Sequence, residues 1–138
     1  MKFVTLTLLL LSTTALANPY DWKVLRVIDG DTVEIEAKYL PVELPPKLSI
    51  RILGVDTPEK APRAKCEKEA AGGLAATEFT KKSVAGAKKI QIEIKGWDKF
   101  GGRVLGDVFI DGERLSDLLI KNNLARAYHG EAKKSWCE

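Results

Sequence analysis

The sequence predicts a mainly β, α+β domain: a five-stranded barrel with two packed α-helices. Three observations lead there. Polar and apolar residues alternate in five short runs, the signature of half-buried strands. Turn signals such as Asp29-Gly30 and Asp111-Gly112 bound those runs. Two further segments repeat apolar residues at helical spacing. The length of 138 residues supports one domain, and 45% hydrophobic with 30% charged residues is an ordinary globular composition.

The first 17 residues are expected to lie outside the fold. Lys2 precedes an apolar run, Val4 to Leu11, broken only by Thr5 and Thr7, and Ala15-Leu16-Ala17 is an A-x-A cleavage site. This is the pattern of a secretory signal peptide, too short for a transmembrane helix, which needs about 20 apolar residues. Cleavage before Asn18 leaves 18–138 as a single secreted or periplasmic domain, a monomer with no stable membrane association. Cys66 and Cys137 then reside where disulfides persist, so a bridge between them is expected. Closing so long a loop stabilises by up to roughly 4–5 kcal/mol in the chain-entropy model. It would also tie Ser135-Trp136-Cys137 back to the middle of the chain.

Residues 23–28, KVLRVI, read as a mostly buried strand. After the Asp29-Gly30 turn, Thr32 to Ala37 forms a second, with Val33 and Ile35 inward and Glu34 and Glu36 outward. Residues 39–47 contain Pro41, Pro45 and Pro46 and read as a loop or edge extension. Leu48, Ile50 and Ile52 mark a third strand, with Ser49 and Arg51 on its other face. The charged, proline-containing stretch 55–66 is a loop. A helix is expected from about Glu67 to Ala87, with Ala71, Leu74, Ala75, Phe79 and Val84 lining its packed side. Gly72 and Gly73 weaken that helix by about 1 kcal/mol each. Ile90, Ile92 and Ile94 define the fourth strand, 97–102 a turn, and Val104 to Ile110 the fifth. Leu115, Leu118 and Leu119 give a second helical face, and 124–128 is short and extended. The order βββ-α-ββ-α describes a small antiparallel barrel of the OB type.

Composition excludes several chemistries. A net charge of +3 is far from a histone-like polycation, so any nucleic-acid affinity must come from local charge placement. Two Cys and one His cannot build a four-ligand Cys/His zinc site. No G-x-x-x-x-G-K-[ST] string is present. His129 stands alone and reads as a surface residue.

The acids gather at turns. Asp29 and Asp31 flank Gly30, and Asp56 and Glu59 follow the third strand in VDTPE. Converging at one rim, such oxygen donors suit Ca²⁺ or Mg²⁺ rather than zinc or copper. By itself, a D-G-D string is more often turn chemistry. Arg51 leads into the acidic loop, where a guanidinium beside a carboxylate site suits phosphate chemistry; alone it reads more readily as an ion-paired surface residue. Arg103 follows Gly101-Gly102, which let a phosphate approach the backbone, and Lys99 and Phe100 precede it. Phe100 could instead merely cover the core.

Taken together, these residues resemble the staphylococcal nuclease (thermonuclease) family. The matching strings are VIDGDTV at 27–33, RILGVDTPE at 51–59, EFTKK at 78–82, AKKIQIEI at 87–94 and DKFGGRVLGDVF at 98–109, with LARAY at 124–128 a weaker match. They occur in family order across about residues 23–128. The resemblance implies a five-stranded OB barrel and Ca²⁺-dependent hydrolysis of phosphodiesters in DNA and RNA. Asp31 and Asp56 resemble the Ca²⁺ carboxylates, with the Thr57 backbone carbonyl as a further ligand and Asp29 beside the metal. Glu59 resembles the residue assigned to activate water, and Arg51 and Arg103 the pair that grips phosphate. Lys99, Phe100 and Tyr128 fall where the family contacts the nucleotide.

The chain departs from the family pattern in four places. The family turn is typically D-K-Y-G-R, one glycine shorter than the stretch from Asp98 to Arg103, and Phe100 lacks the tyrosine hydroxyl. The 38–47 segment is longer and proline-rich. After Tyr128 there is no room for a third helix, a role the Cys66–Cys137 bridge could fill. The implied chemistry needs no histidine: Asp31 and Asp56 hold the cation, Arg51 and Arg103 stabilise phosphate oxygens, and Glu59 orients or deprotonates water. Lys60, Arg63, Lys65 and Lys68 are expected near backbone phosphates, as sequence-independent contacts. The alternative is a non-catalytic OB-fold module that binds nucleic acid or protein, or an exported interaction domain. Neither requires Asp31, Asp56 and Glu59 together with both arginines.

Overall fold

A computed structural model describes residues 19–37 and 47–138. The expected signal peptide, and the proline-rich segment up to residue 46, lie outside the described residues. Along the chain come β1 (Val24–Asp29), β2 (Thr32–Glu36), β3 (Lys47–Ile52), β4 (Val55–Asp56), helix α1 (Glu67–Gly86), β5 (Ile90–Trp97), β6 (Arg103–Ile110), β7 (Glu113–Arg114), helix α2 (Leu115–Lys121) and β8 (Arg126–Ala127). The mainly β, α+β class with two packed helices is as expected.

The main sheet runs β1-β2-β3-β6-β5, with β7 on β6. It is not closed into a continuous barrel. Among the described residues no ladder joins the outer strands β1 and β5; Tyr20, just before β1, bridges to Ile92 of β5, with Tyr20 N–H donating to the Ile92 carbonyl at 2.6 Å and Ile92 N–H to the Tyr20 carbonyl at 2.7 Å. β1 shifts register twice against β2, which breaks its alternation and turns it from the other edge. Consequently β1 is not mostly buried as its pattern predicts: Leu25 is exposed, and exposed Arg26 pairs with Glu34 at 2.8 Å. Nor is the sheet all antiparallel. β3 and β6 run parallel, because the loop, α1 and β5 between them make the crossover that a parallel pair requires.

The core follows the alternation read from the sequence. Val33, Ile35, Ile50, Ile52 and Ile92 are buried from the sheet, and Leu115 and Leu119 from α2. On α1, Phe79 and Val84 pack against the core as expected, but the rest of the packed face differs from the expected one. Leu74 is exposed and Ala71 and Ala75 face outward, whereas Gly73, Ala76, Thr77 and Thr80 are buried. The reason is close approach. A Cβ on Gly73 would lie 2.5 Å from the Glu59 carbonyl carbon, and one on Gly30 would lie 2.7 Å from the Ala76 Cβ. Thr80 Oγ1 donates to the Gly30 carbonyl at 2.7 Å. Small residues therefore dock α1 against both the β1–β2 turn and the loop carrying Glu59, where an apolar stripe of larger residues would not fit.

Cys66 is the N-cap of α1 and is joined to Cys137 as expected. β4 pairs with β8, setting Asp56 opposite Arg126, and Tyr128 N–H donates to the Gly54 carbonyl at 2.9 Å. The C-terminal segment thus enters beside the acidic loop.

Candidate active site

Strand register assembles the site. Thr32 stands opposite Arg51 across β2–β3, and Ser49 opposite Arg103 across β3–β6. Side chains alternate faces along a strand, so Ser49, Arg51 and Arg103 share the face turned away from Leu48, Ile50 and Ile52. On that face lies a cleft of about 540 Å³ lined by Asp29, Asp31, Arg51, Glu59, Phe100 and Arg103, with Arg63 and Lys133 at its wall.

Arg51 is the centre of charge. Its Nη1 pairs with Asp31 Oδ2, its Nη2 donates to the Val55 carbonyl at 3.1 Å, and the same nitrogen faces Asp56 Oδ1 at 3.6 Å. Asp31 also accepts from Thr57 N–H at 3.0 Å and Thr32 Oγ1 at 3.2 Å. Burial by itself would push the Asp31 carboxyl up; the Arg51 charge and these hydrogen bonds outweigh it and hold the group below the usual range. Burial likewise disfavours the charged form of Arg51, yet Asp31 and Asp56 hold it firmly protonated. Asp29 responds in the opposite direction. Burial, then the neighbouring Asp31 charge, raise its pKa. Arg63 donates to Asp29 Oδ2 at 2.9 Å and, through Nε, to Glu59 Oε2 at 3.0 Å. Asp29 Oδ1 is buried without a partner.

Arg103 is held by Asp98, with Nε at 2.6 Å and Nη2 at 2.5 Å from Oδ2. The additional glycine does not carry Arg103 out of the cleft. Gly101 and Gly102 both take positive φ, 68° and 62°, and absorb the extra residue within the turn, while Asp98 N–H still donates to the Arg103 carbonyl at 2.9 Å.

The structure brings Asp29, Asp31, Arg51, Glu59, Phe100 and Arg103 together around one cleft. Asp56 and Thr57 are buried just behind its wall. Lys99 is exposed over the Phe100 ring, 5.0 Å from its centroid, and Tyr128 is half-buried beside Gly54; neither lines the cleft. Of the basic loop residues, only Arg63 faces the site. Lys60 donates to the Ile28 carbonyl at 2.5 Å, Lys68 contacts the Glu138 carbonyl, and Lys65 is exposed. Sequence reasoning missed Lys133 and Trp136, which reach Asp56 from the far end of the chain. The only signal for them is Cys137, whose bridge pins that end.

Among the described residues no three Asp, Glu, His or Cys side chains gather as a ready metal cage. Asp31 and Asp56 are instead spanned by Arg51. The donor chemistry still fits a hard divalent cation: the groups are all oxygens, two carboxylates meet one guanidinium, and the Asp29 oxygen is unsatisfied.

The family model described as staphylococcal nuclease homologue matches residues 49–136. The chain belongs to this family. It is 33% identical over 113 residues to a thermonuclease of Staphylococcus hyicus, covering 80% of this chain and 61% of that protein. An uncharacterized endonuclease of Escherichia coli is 29% identical over 128 residues, covering 92% and 73%. Endonuclease YncB of Bacillus subtilis is 33% identical over 103 residues, covering 73% and 44%. The chain thus spans about 61% of the length of the thermonuclease it matches. In this staphylococcal nuclease homologue the family match takes in Arg51, Asp56, Glu59 and Arg103, and also the tail residues Lys133 and Trp136.

Proposed function

We propose that this chain is a Ca²⁺-dependent endonuclease that hydrolyses phosphodiester bonds of DNA and RNA without regard to the sugar. The observation that carries the reading is the pair Arg51 and Arg103, set on one face of adjacent parallel strands across a cleft from Glu59. A phosphodiester is an anion that repels nucleophiles and gathers more charge on its oxygens as it reacts. Two guanidiniums already fixed by Asp31 and Asp98 meet that charge without reorganising. Glu59, its side chain 40% exposed and held by Arg63, can accept a proton from water at the cleft. Asp31 and Asp56, with the Thr57 carbonyl and Asp29 beside them, would hold Ca²⁺, which supplies Lewis-acid polarisation of the phosphate when bound. Contacts directed at phosphate carry no base or sugar information, which suits both DNA and RNA. The names of the thermonuclease and endonuclease relatives support the same reaction class. The signal pattern at 1–17 and the Cys66–Cys137 bridge support an exported protein.

The test is cleavage of plasmid, single-stranded DNA and RNA with Ca²⁺ or chelator, beside Glu59→Gln. We expect Ca²⁺-dependent cleavage that falls by about 10²–10⁴-fold in the variant, the usual contribution of a positioned acid–base group. Retained DNA binding with no cleavage under any divalent ion would instead make this a binding module.

A further inference from the structure

We propose that Lys133 is a resident of the nuclease site: a tethered cation that occupies Asp56 and must be displaced when a divalent ion binds there. The inference rests on the reading of Asp56 as a metal carboxylate. Lys133 Nζ lies 2.5 Å from Asp56 Oδ1, the oxygen that Arg51 faces at 3.6 Å. Lys133 and Asp31 also line the same cleft, so the ammonium holds Asp56 at the place where a cation shared by the two carboxylates would bind. Trp136 Nε1 donates to the other oxygen, Oδ2, at 3.3 Å. Both oxygens of this buried carboxylate are thus engaged by one short tail segment.

That segment is held in place at several points. Cys137 is bonded to Cys66 at the start of α1. The Arg126 guanidinium stacks over the Trp136 ring, 3.7 Å from its centroid, and donates to the Ser135 carbonyl at 2.8 Å. Lys68 contacts the Glu138 carbonyl. Pinning the backbone of 135–138 keeps Lys133 at high local concentration around Asp56, so the pair forms without the full entropic cost of recruiting a free cation. Lys133 itself stays 49% exposed, so its ammonium can swing into water when a doubly charged ion takes the carboxylate. The carboxylate is buried but the ammonium is half-exposed, so water screens the pair from the lysine side, which makes the exchange feasible and its penalty modest.

Ca²⁺ alone, titrated calorimetrically into the oxidised protein, tests this. Lys133→Gln removes the competing charge at a half-exposed position and should fold normally. It is expected to bind Ca²⁺ about two- to fivefold more tightly than the wild type, the range that a weak ion pair supplies. The gain should vanish once Cys66–Cys137 is reduced, because the untethered tail no longer competes. Unchanged or weaker binding by Lys133→Gln overturns the proposal, and an equal gain before and after reduction overturns the role of the tether. Asp56→Ala separates this inference from the one beneath it. If Ca²⁺ binding is insensitive to Asp56, the metal assignment itself fails; if it needs Asp56 but ignores Lys133, only the present inference does.

Discussion

Asp29 and Asp31 are two residues apart, yet their surroundings push them in opposite directions. Asp31 has Arg51 and a backbone N–H on it; Asp29 has an unpartnered oxygen and a like charge beside it. Linkage then fixes opposite pH responses. The folded pKa of Asp29 is raised above its ordinary 3.8, so the folded state holds that proton more tightly. The associated stability is complete below that ordinary value and is lost as pH rises through the folded pKa. The folded pKa of Asp31 is lowered, so its contribution is present above the ordinary value and lost as pH falls through the folded one. In chelator, Asp29→Asn is therefore expected to raise the thermal midpoint at pH 7, and Asp31→Asn to lower it. Both differences should shrink toward pH 3 in melts followed by circular dichroism. An Asp29→Asn protein less stable than wild type at pH 7 would mean that the Arg63 contact outweighs the cost of burying this charge.

At the scale of elements, α1 acts as a backing plate for the loop that carries Glu59. Its glycines look like defects when helix propensity is the only consideration, but Gly73 is where the Glu59–Lys60 backbone crosses the helix. Restoring a Cβ there gains helix propensity and forces the loop outward. Overpacking of this kind typically costs about 1–3 kcal/mol, more than the roughly 1 kcal/mol gained over glycine. Gly73→Ala is accordingly expected to unfold at lower urea and to lower kcat by displacing Glu59. Gly86→Ala, at the other end of α1 with nothing within 4 Å of the added Cβ, should leave cleavage intact. Urea melts and steady-state cleavage on the two variants make the comparison.

Across the whole molecule, the bridge joins residues 71 apart and holds a segment with little regular structure of its own. Cross-linking over such a span removes about 4 kcal/mol of chain entropy from the unfolded state in the loop-closure model. Cys66→Ser/Cys137→Ser is expected to lose up to that amount in urea unfolding, and reduction of the wild type should match it. A loss well below about 1 kcal/mol would show that the tail is held by Arg126, Trp136 and Asp56 without needing the bond.

Sequence alone determined the elements that depend on neighbours in the chain. Alternation marked the buried faces of β2, β3 and β5, Asp-Gly marked the turns, and two cysteines behind a signal-like N-terminal pattern implied their pairing. It also marked the family, because VDTPE and the two arginines are unusual together. Tertiary structure decided what alternation cannot encode. Thr80 meets Gly30 across 50 residues, Lys133 meets Asp56 across 77, and β3 lies parallel to β6 only after a crossover through α1 and β5. Which face of α1 is packed depended on backbone passing within a few ångströms, and hydrophobic spacing carries no record of that. Which carboxylate is paired, strained or covered depended on side chains brought from distant strands and from the tail. Local patterns are set by steric and solvation preferences a few residues long; the charge arrangement of the site is set by long-range packing, and only the folded chain contains it.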